Sequence, residues 1–235
     1  QGFREQNEDR KKWIMNNDLS HWKRFLEWFC QSDGTGISLD ISRMGFDRSW
    51  WDSMQPSMAN ALVEMEKLEN GAVANPDENR MVGHYWLRNP DIAPNDEIRE
   101  KIRENLDSLH HFSERVLDGR IKPPKAERFS RLLLIGIGGS ALGPQLLYQA
   151  LEGVPEKEKS LSGLETFFID NTDPEGMARI YKKLGDSLKE TLVLVISKSG
   201  GTVETRNGML ETRNVFKSKN LNFAGQAVAV TGEGS

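Results

Sequence analysis

A single cysteine, Cys30, among 235 residues leaves no intrachain disulfide to staple the fold and fits a reducing compartment. Long apolar runs are also missing: none approaches the roughly 18 residues that a membrane span needs. Positive charge is not in excess. With 31 Lys and Arg against 35 Asp and Glu, the formal net charge is −4, which excludes the basic footprint of a nucleic-acid binder. Any positive potential for an anion must therefore be local. Histidine is scarce, and His21, His84, His110 and His111 show no metal-ligand spacing. No Gly-Lys-Ser/Thr follows a glycine run, so a Walker A loop is excluded. No internal repeat or low-complexity tract is found.

What the chain does have is a change of rhythm. Residues 1–122 read as a helical region. Trp22, Phe25, Leu26 and Phe29 share one face of an amphipathic helix. A second helix is expected from about Arg48 to Leu68, stopped by Asn70-Gly71, a usual C-cap pair. A third follows Pro94: Ile98, Ile102, Leu106, Leu109, Phe112 and Val116 recur every three or four residues, and Gly119 ends it. The tryptophans, Trp13, Trp22, Trp28, Trp50, Trp51 and Trp86, are expected to fill helix contacts.

Pro123-Pro124 breaks this pattern, because two prolines stiffen the chain and remove backbone donors. Apolar runs at 132–137, 166–169, 192–196 and 227–230 then alternate with helical stretches. Such continuous runs suit strands buried on both faces of a parallel sheet, so residues 123–235 read as an α/β domain with helices on both sheet faces. The run at 227–230 has no crossover helix after it, and the chain is expected to be a piece of a longer protein.

Two of these strands lead into loops rich in glycine and hydroxyls. The first is Gly136-Ile137-Gly138-Gly139-Ser140 and the second Ser197-Lys198-Ser199-Gly200-Gly201-Thr202. Each stands where a helix begins, so free N–H groups and the helix dipole favour an anion. Gly136-x-Gly138-x-x-Ala141 also satisfies the dinucleotide fingerprint, and Asp170 could serve as its ribose-binding acid. The second loop argues otherwise. Ser197, Ser199, Thr202 and Lys198 concentrate donors suited to a phosphate monoester, and loops at neighbouring strand ends share one crevice. Glu204, beyond Thr202, is either a dipole-favoured first-turn acid or a functional one.

In order along the chain, Gly136-Ile-Gly-Gly-Ser-Ala-Leu-Gly-Pro144, Asp170-Asn-Thr-Asp-Pro174 and Ser197-Lys-Ser-Gly-Gly-Thr-Val-Glu-Thr205 resemble the motifs of the glucose-6-phosphate isomerase family. Asn75-Pro-Asp-Glu-Asn-Arg-Met-Val-Gly-His-Tyr-Trp-Leu-Arg88 is similar to a divergent form of its N-terminal segment. The Ser-Gly-Gly form of the second loop resembles the cyanobacterial and plastid branch. The resemblance implies a flavodoxin-like sugar-isomerase (SIS) domain that interconverts glucose 6-phosphate and fructose 6-phosphate with neither metal nor cofactor. By motif, Ser197, Lys198, Ser199, Gly200, Gly201 and Thr202 would hold the phosphate. Gly139 and Ser140 would line the sugar end. Glu204 would support the ring-opening histidine. The family's proton-transferring Glu, its enediolate-stabilising Arg, that His and a Lys are expected beyond Ser235, so no base is assigned here. The resemblance also implies a homodimer, located in the cytoplasm or in the plastid stroma of a photosynthetic eukaryote.

Three rival readings stay open on sequence: a non-catalytic SIS module that senses a sugar phosphate, an NAD-dependent dehydrogenase, and a fused transaldolase–isomerase.

Overall fold

The computed structural model describes residues 19–152, 163–232 and 234; Trp13 and the start of the expected helical region lie outside them. The chain divides into two compact units, Gln1–Asp96 and Glu97–Ser235.

The first unit is helical over residues 19–28 (α1). A hairpin of β1 (Phe29–Ser32) and β2 (Ile37–Asp40) follows, then α2 (Arg48–Glu69), a hairpin of β3 (Val73–Asn75) and β4 (Arg80–Met81), and the short α3 (His84–Arg88). Sequence rhythm anticipated neither hairpin, because every residue of their strands is exposed and no alternation of buried and exposed side chains marks them. Helix α2 matches its expected span closely. Its N-cap is Asp47, whose carboxylate accepts from the Trp50 N–H at 2.8 Å and the Ser49 hydroxyl at 2.8 Å. These bonds hold the carboxyl below its ordinary pKa, the Trp50 N–H most strongly. Asn70 is the C-cap, and Gly71 follows with a φ of +92°.

The aromatic face expected on α1 is only partly buried. Phe29 has left the helix for β1, and Trp22 and Leu26 are exposed. Trp28 is the residue that packs, 7% exposed and edge-on to Phe46 and Trp51 at centroid distances of 4.8 and 4.9 Å. Trp86 is also buried and donates its indole N–H to the Glu69 carbonyl at 2.8 Å.

From Glu97 onward, α4 (Asp96–Leu117) belongs to the second unit. Sequence rhythm set a boundary at 122–123, whereas the compact units divide at 96–97. The reason is packing: Phe112 and Val116 of α4 join Phe129, Leu164 and Leu192 in one core cluster. Leu109, expected on the buried stripe of α4, is exposed.

Four parallel strands follow, β5 (Arg131–Ile135), β6 (Glu165–Ile169), β7 (Thr191–Ser197) and β8 (Ala227–Thr231), connected by α5 (Gly139–Glu152), α6 (Pro174–Leu184) and α7 (Val203–Ser218). Their order across the sheet is β6-β5-β7-β8. Ile135 pairs in register with Ile169 on one side and Val195 on the other. Strand β5 stops two residues earlier than its apolar run predicts, which places Ile137 in the loop.

Alternate side chains feed opposite faces of the sheet, as the two-residue strand period requires. Leu133, Ile135 and Val193 pack with Met177 and Leu184 of α6 and Phe216 of α7; Leu132, Leu192 and Leu194 pack on the cluster that includes α4. Helix α7 lies very close to the sheet. A Cβ on Gly208 would stand 2.9 Å from Ile135 Cγ2 and 3.2 Å from Ile169 Cγ2, so glycine is what permits that approach.

Candidate functional site

The strand order supplies the first constraint. Numbered along the chain within the sheet, it reads 2-1-3-4, the flavodoxin-type order; a dinucleotide-binding sheet of Rossmann type begins 3-2-1-4. The connection from β5 runs to one side and that into β7 returns on the other. This is a topological switch point, and it opens a crevice beyond the carboxyl ends of β5 and β7. Both glycine loops lie there.

The first loop is pressed against β7. A Cβ on Gly136 would meet Ser140 Cβ at 3.0 Å, Ser140 O at 3.2 Å and Ile196 O at 3.3 Å, so a larger residue would have to push these neighbours aside. Gly139 and Ser140 are the first residues of α5, and a Cβ on Gly139 would face open space. The backbone here can approach a ligand closely.

The second loop is folded on itself. Ser197, the buried last residue of β7, donates its hydroxyl to Thr202 Oγ1 at 3.1 Å. The Gly201 N–H donates to Ser199 Oγ at 3.3 Å, and Gly200 turns the chain with a φ of +66°. The Gly232 N–H donates to the Lys198 carbonyl at 3.1 Å, so the residue after β8 braces this loop as well. Lys198, Ser199, Gly200 and Gly201 are exposed at the rim.

Thr202 is the N-cap of α7, yet its side chain makes no capping hydrogen bond; the hydroxyl accepts from Ser197 instead. The neighbouring helix behaves differently. Asp173 caps α6, its carboxylate accepting from the Glu175 N–H at 3.1 Å and the Gly176 N–H at 2.9 Å. The start of α6 thus carries an anion of its own. At α7 the dipole and the first-turn N–H groups are left without a side-chain cap, beside an exposed lysine and two further hydroxyls. This arrangement can receive an external anion.

Glu204 is the second residue of α7 and exposed, at the rim of the same loop. Asp170, the candidate ribose acid, accepts from Gln145 Nε2 at 2.8 Å on one oxygen and from Asn171 Nδ2 at 2.9 Å on the other. The structure therefore brings together the second-loop residues Ser197, Ser199, Gly201 and Thr202, and sets Gly139 and Ser140 on the adjacent strand's loop. Two participants had no sequence signal: Gln145, which holds Asp170, and Gly232, which braces Lys198. Both act across the fold between residues far apart in sequence.

An open α/β sheet with an anion-receptive crevice at its switch point is the class that these features define. The phosphoglucose isomerase family profile matches residues 54–233, and the chain belongs to that family. It is 51% identical over 214 residues to the glucose-6-phosphate isomerase of Gloeothece citriformis, covering 91% of this chain and 40% of that protein. It is 52% identical over 217 residues to that of Rippkaea orientalis, covering 92% of this chain and 40% of the relative. These cyanobacterial relatives agree with the branch expected from the Ser-Gly-Gly loop. Among solved structures, the glucose-6-phosphate isomerase of Chlamydia trachomatis superposes with a TM-score of 0.70 at 28% identity, over 91% of this chain and 40% of that one. The chain thus spans about 40% of the length of the curated relatives it matches.

Proposed function

We propose that this chain forms the phosphate grip of an aldose–ketose isomerase, and that the whole protein interconverts glucose 6-phosphate and fructose 6-phosphate. The observation that carries the reading is the uncapped start of α7 with Ser197, Lys198, Ser199 and Thr202 around it, next to the Gly136–Ser140 loop, in a chain of the phosphoglucose isomerase family. The phosphate would sit on the first-turn N–H groups of α7 and the second-loop hydroxyls, with the Lys198 ammonium offsetting its charge. Gly139 and Ser140 would face the sugar end.

Isomerisation requires ring opening, proton transfer between C1 and C2, and stabilisation of an enediolate. Holding the phosphate supplies remote binding energy and orientation for those steps. Glu204 would support a ring-opening histidine. The proton-transferring Glu, the stabilising Arg, the His and a Lys belong, in this reading, to the part of the family's length that this chain does not span. A homodimer in the cytoplasm, or in a plastid stroma, completes the proposal.

The test is a fructose 6-phosphate titration of the 235-residue chain alongside an isomerase assay. Weak saturable binding without turnover is expected. Turnover at a normal enzymatic rate would overturn the division of labour, and absence of binding would overturn the grip itself.

A further inference from the structure

The inward face of α7 carries Thr205, Gly208, Thr212 and Phe216, all buried. The two threonines are treated differently. Thr212 donates its hydroxyl to the Gly208 carbonyl at 2.7 Å and lies 3.0 Å from the Tyr181 hydroxyl. Thr205 is 4% exposed, and its Oγ1 is sealed from solvent with no hydrogen-bond partner. A buried hydroxyl left unpaired weakens a fold, and valine would fill the same space without that cost.

The position of this hydroxyl relative to the strands gives it a use. Gly208 stands against Ile135 and Ile169, the last residues of β5 and β6. Helix α7 starts at the carboxyl ends of the strands, so Thr205 lies about 4.5 Å farther toward that rim, at 1.5 Å per helical residue. This is about one strand residue past Ile135 and Ile169, where the Gly136–Ser140 loop and Asp170 begin. Thr205 thus underlies the crevice floor and is also the third residue of the helix whose uncapped start faces the candidate phosphate.

We propose that Thr205 is a positioning residue coupled to ligand binding: its hydroxyl gains a hydrogen bond to a backbone group of the Gly136–Ser140 loop when a sugar phosphate draws the two loops together. The inference rests on the reading of the crevice as a sugar-phosphate site. Buried on the inward face of α7, Thr205 acts on the ligand through the first loop and does not touch it. The unliganded fold tolerates the unpaired group, and the liganded one uses it.

The experiment compares the wild-type chain with Thr205→Val and Thr205→Ser, measuring the unliganded Tm and the Kd for fructose 6-phosphate. Thr205→Val is expected to keep or raise the Tm while binding about three- to tenfold more weakly, the range for one neutral hydrogen bond. Thr205→Ser, which keeps the hydroxyl, is expected to bind like wild type. Equal binding by wild type and Thr205→Val would overturn the proposal. So would a Tm collapse in Thr205→Val, because the hydroxyl would then serve the unliganded fold. Absence of wild-type binding would overturn the sugar-phosphate reading together with this one, so the two failures are distinguishable.

Discussion

Helices α6 and α7 leave the same sheet from the same rim, yet their first turns are capped differently. Asp173 closes α6 with two hydrogen bonds to backbone N–H groups. Thr202 stands at the equivalent place on α7 and turns its hydroxyl to Ser197. One helix start is satisfied from within, while the other carries no side-chain cap. A glycine-rich loop next to a helix is therefore not by itself a site; whether the fold has already supplied the anion decides it.

Copying the α6 arrangement onto α7 breaks this contrast most severely. Thr202→Asp sets a carboxylate where the phosphate is expected. Like-charge contact in a binding site costs several kcal/mol, so fructose 6-phosphate affinity should fall by about a hundredfold or more in calorimetric titration, with the Tm kept or raised by the new cap. Next in size is Lys198→Ala, which removes a charged donor. Hydrogen bonds of charged groups contribute about 1.5–3 kcal/mol, so binding should weaken about ten- to hundredfold and lose part of its salt dependence.

The reverse experiment on α6 should leave binding alone. Asp173→Ala removes a cap worth about 1 kcal/mol, which chemical denaturation would register while the fructose 6-phosphate Kd stays unchanged. The smallest effect belongs to α2, whose start Asp47 closes as Asp173 closes α6. Hydrogen bonds lower the folded-state pKa of Asp47, so its stabilising effect is fully present above the ordinary value of 3.8 and disappears as pH falls through the lowered one. The Tm gap between wild type and Asp47→Ala should accordingly be constant near neutrality and close in strong acid.

Much of the sheet was legible in the sequence because β5 to β8 are continuous apolar runs; burial is deepest in the two central strands, β5 and β7, while the edge strand β8 is half exposed and still carries an apolar run. The two loops were legible because hydroxyls and glycines cluster directly after the apolar runs of β5 and β7. The hairpins of the first unit were not: their strands are short and exposed on both sides, so no period sets them apart from loop. Ile137 reads as strand, yet the strand ends at Ile135 and the chain turns just beyond Ile137, at Gly138, whose φ is +55°. The contrast between Asp173 and Thr202 was hidden for another reason. Both residues are ordinary helix caps by type, and only the contact with Ser197 shows which of them leaves its helix open. Thr205 was equally hidden, since an orphaned hydroxyl is a property of its neighbours.

The central claim is that the open start of α7 receives the phosphate of a sugar phosphate. Backbone amide chemical shifts, followed by NMR during a fructose 6-phosphate titration of the 235-residue chain, test it most directly. The account predicts the largest shifts at residues 198–205 and 136–140, with Glu175 and Gly176 at the capped start of α6 unmoved and NAD without effect. Shifts at those residues with NAD and not with fructose 6-phosphate, or fructose 6-phosphate shifts confined to other parts of the chain, would contradict it.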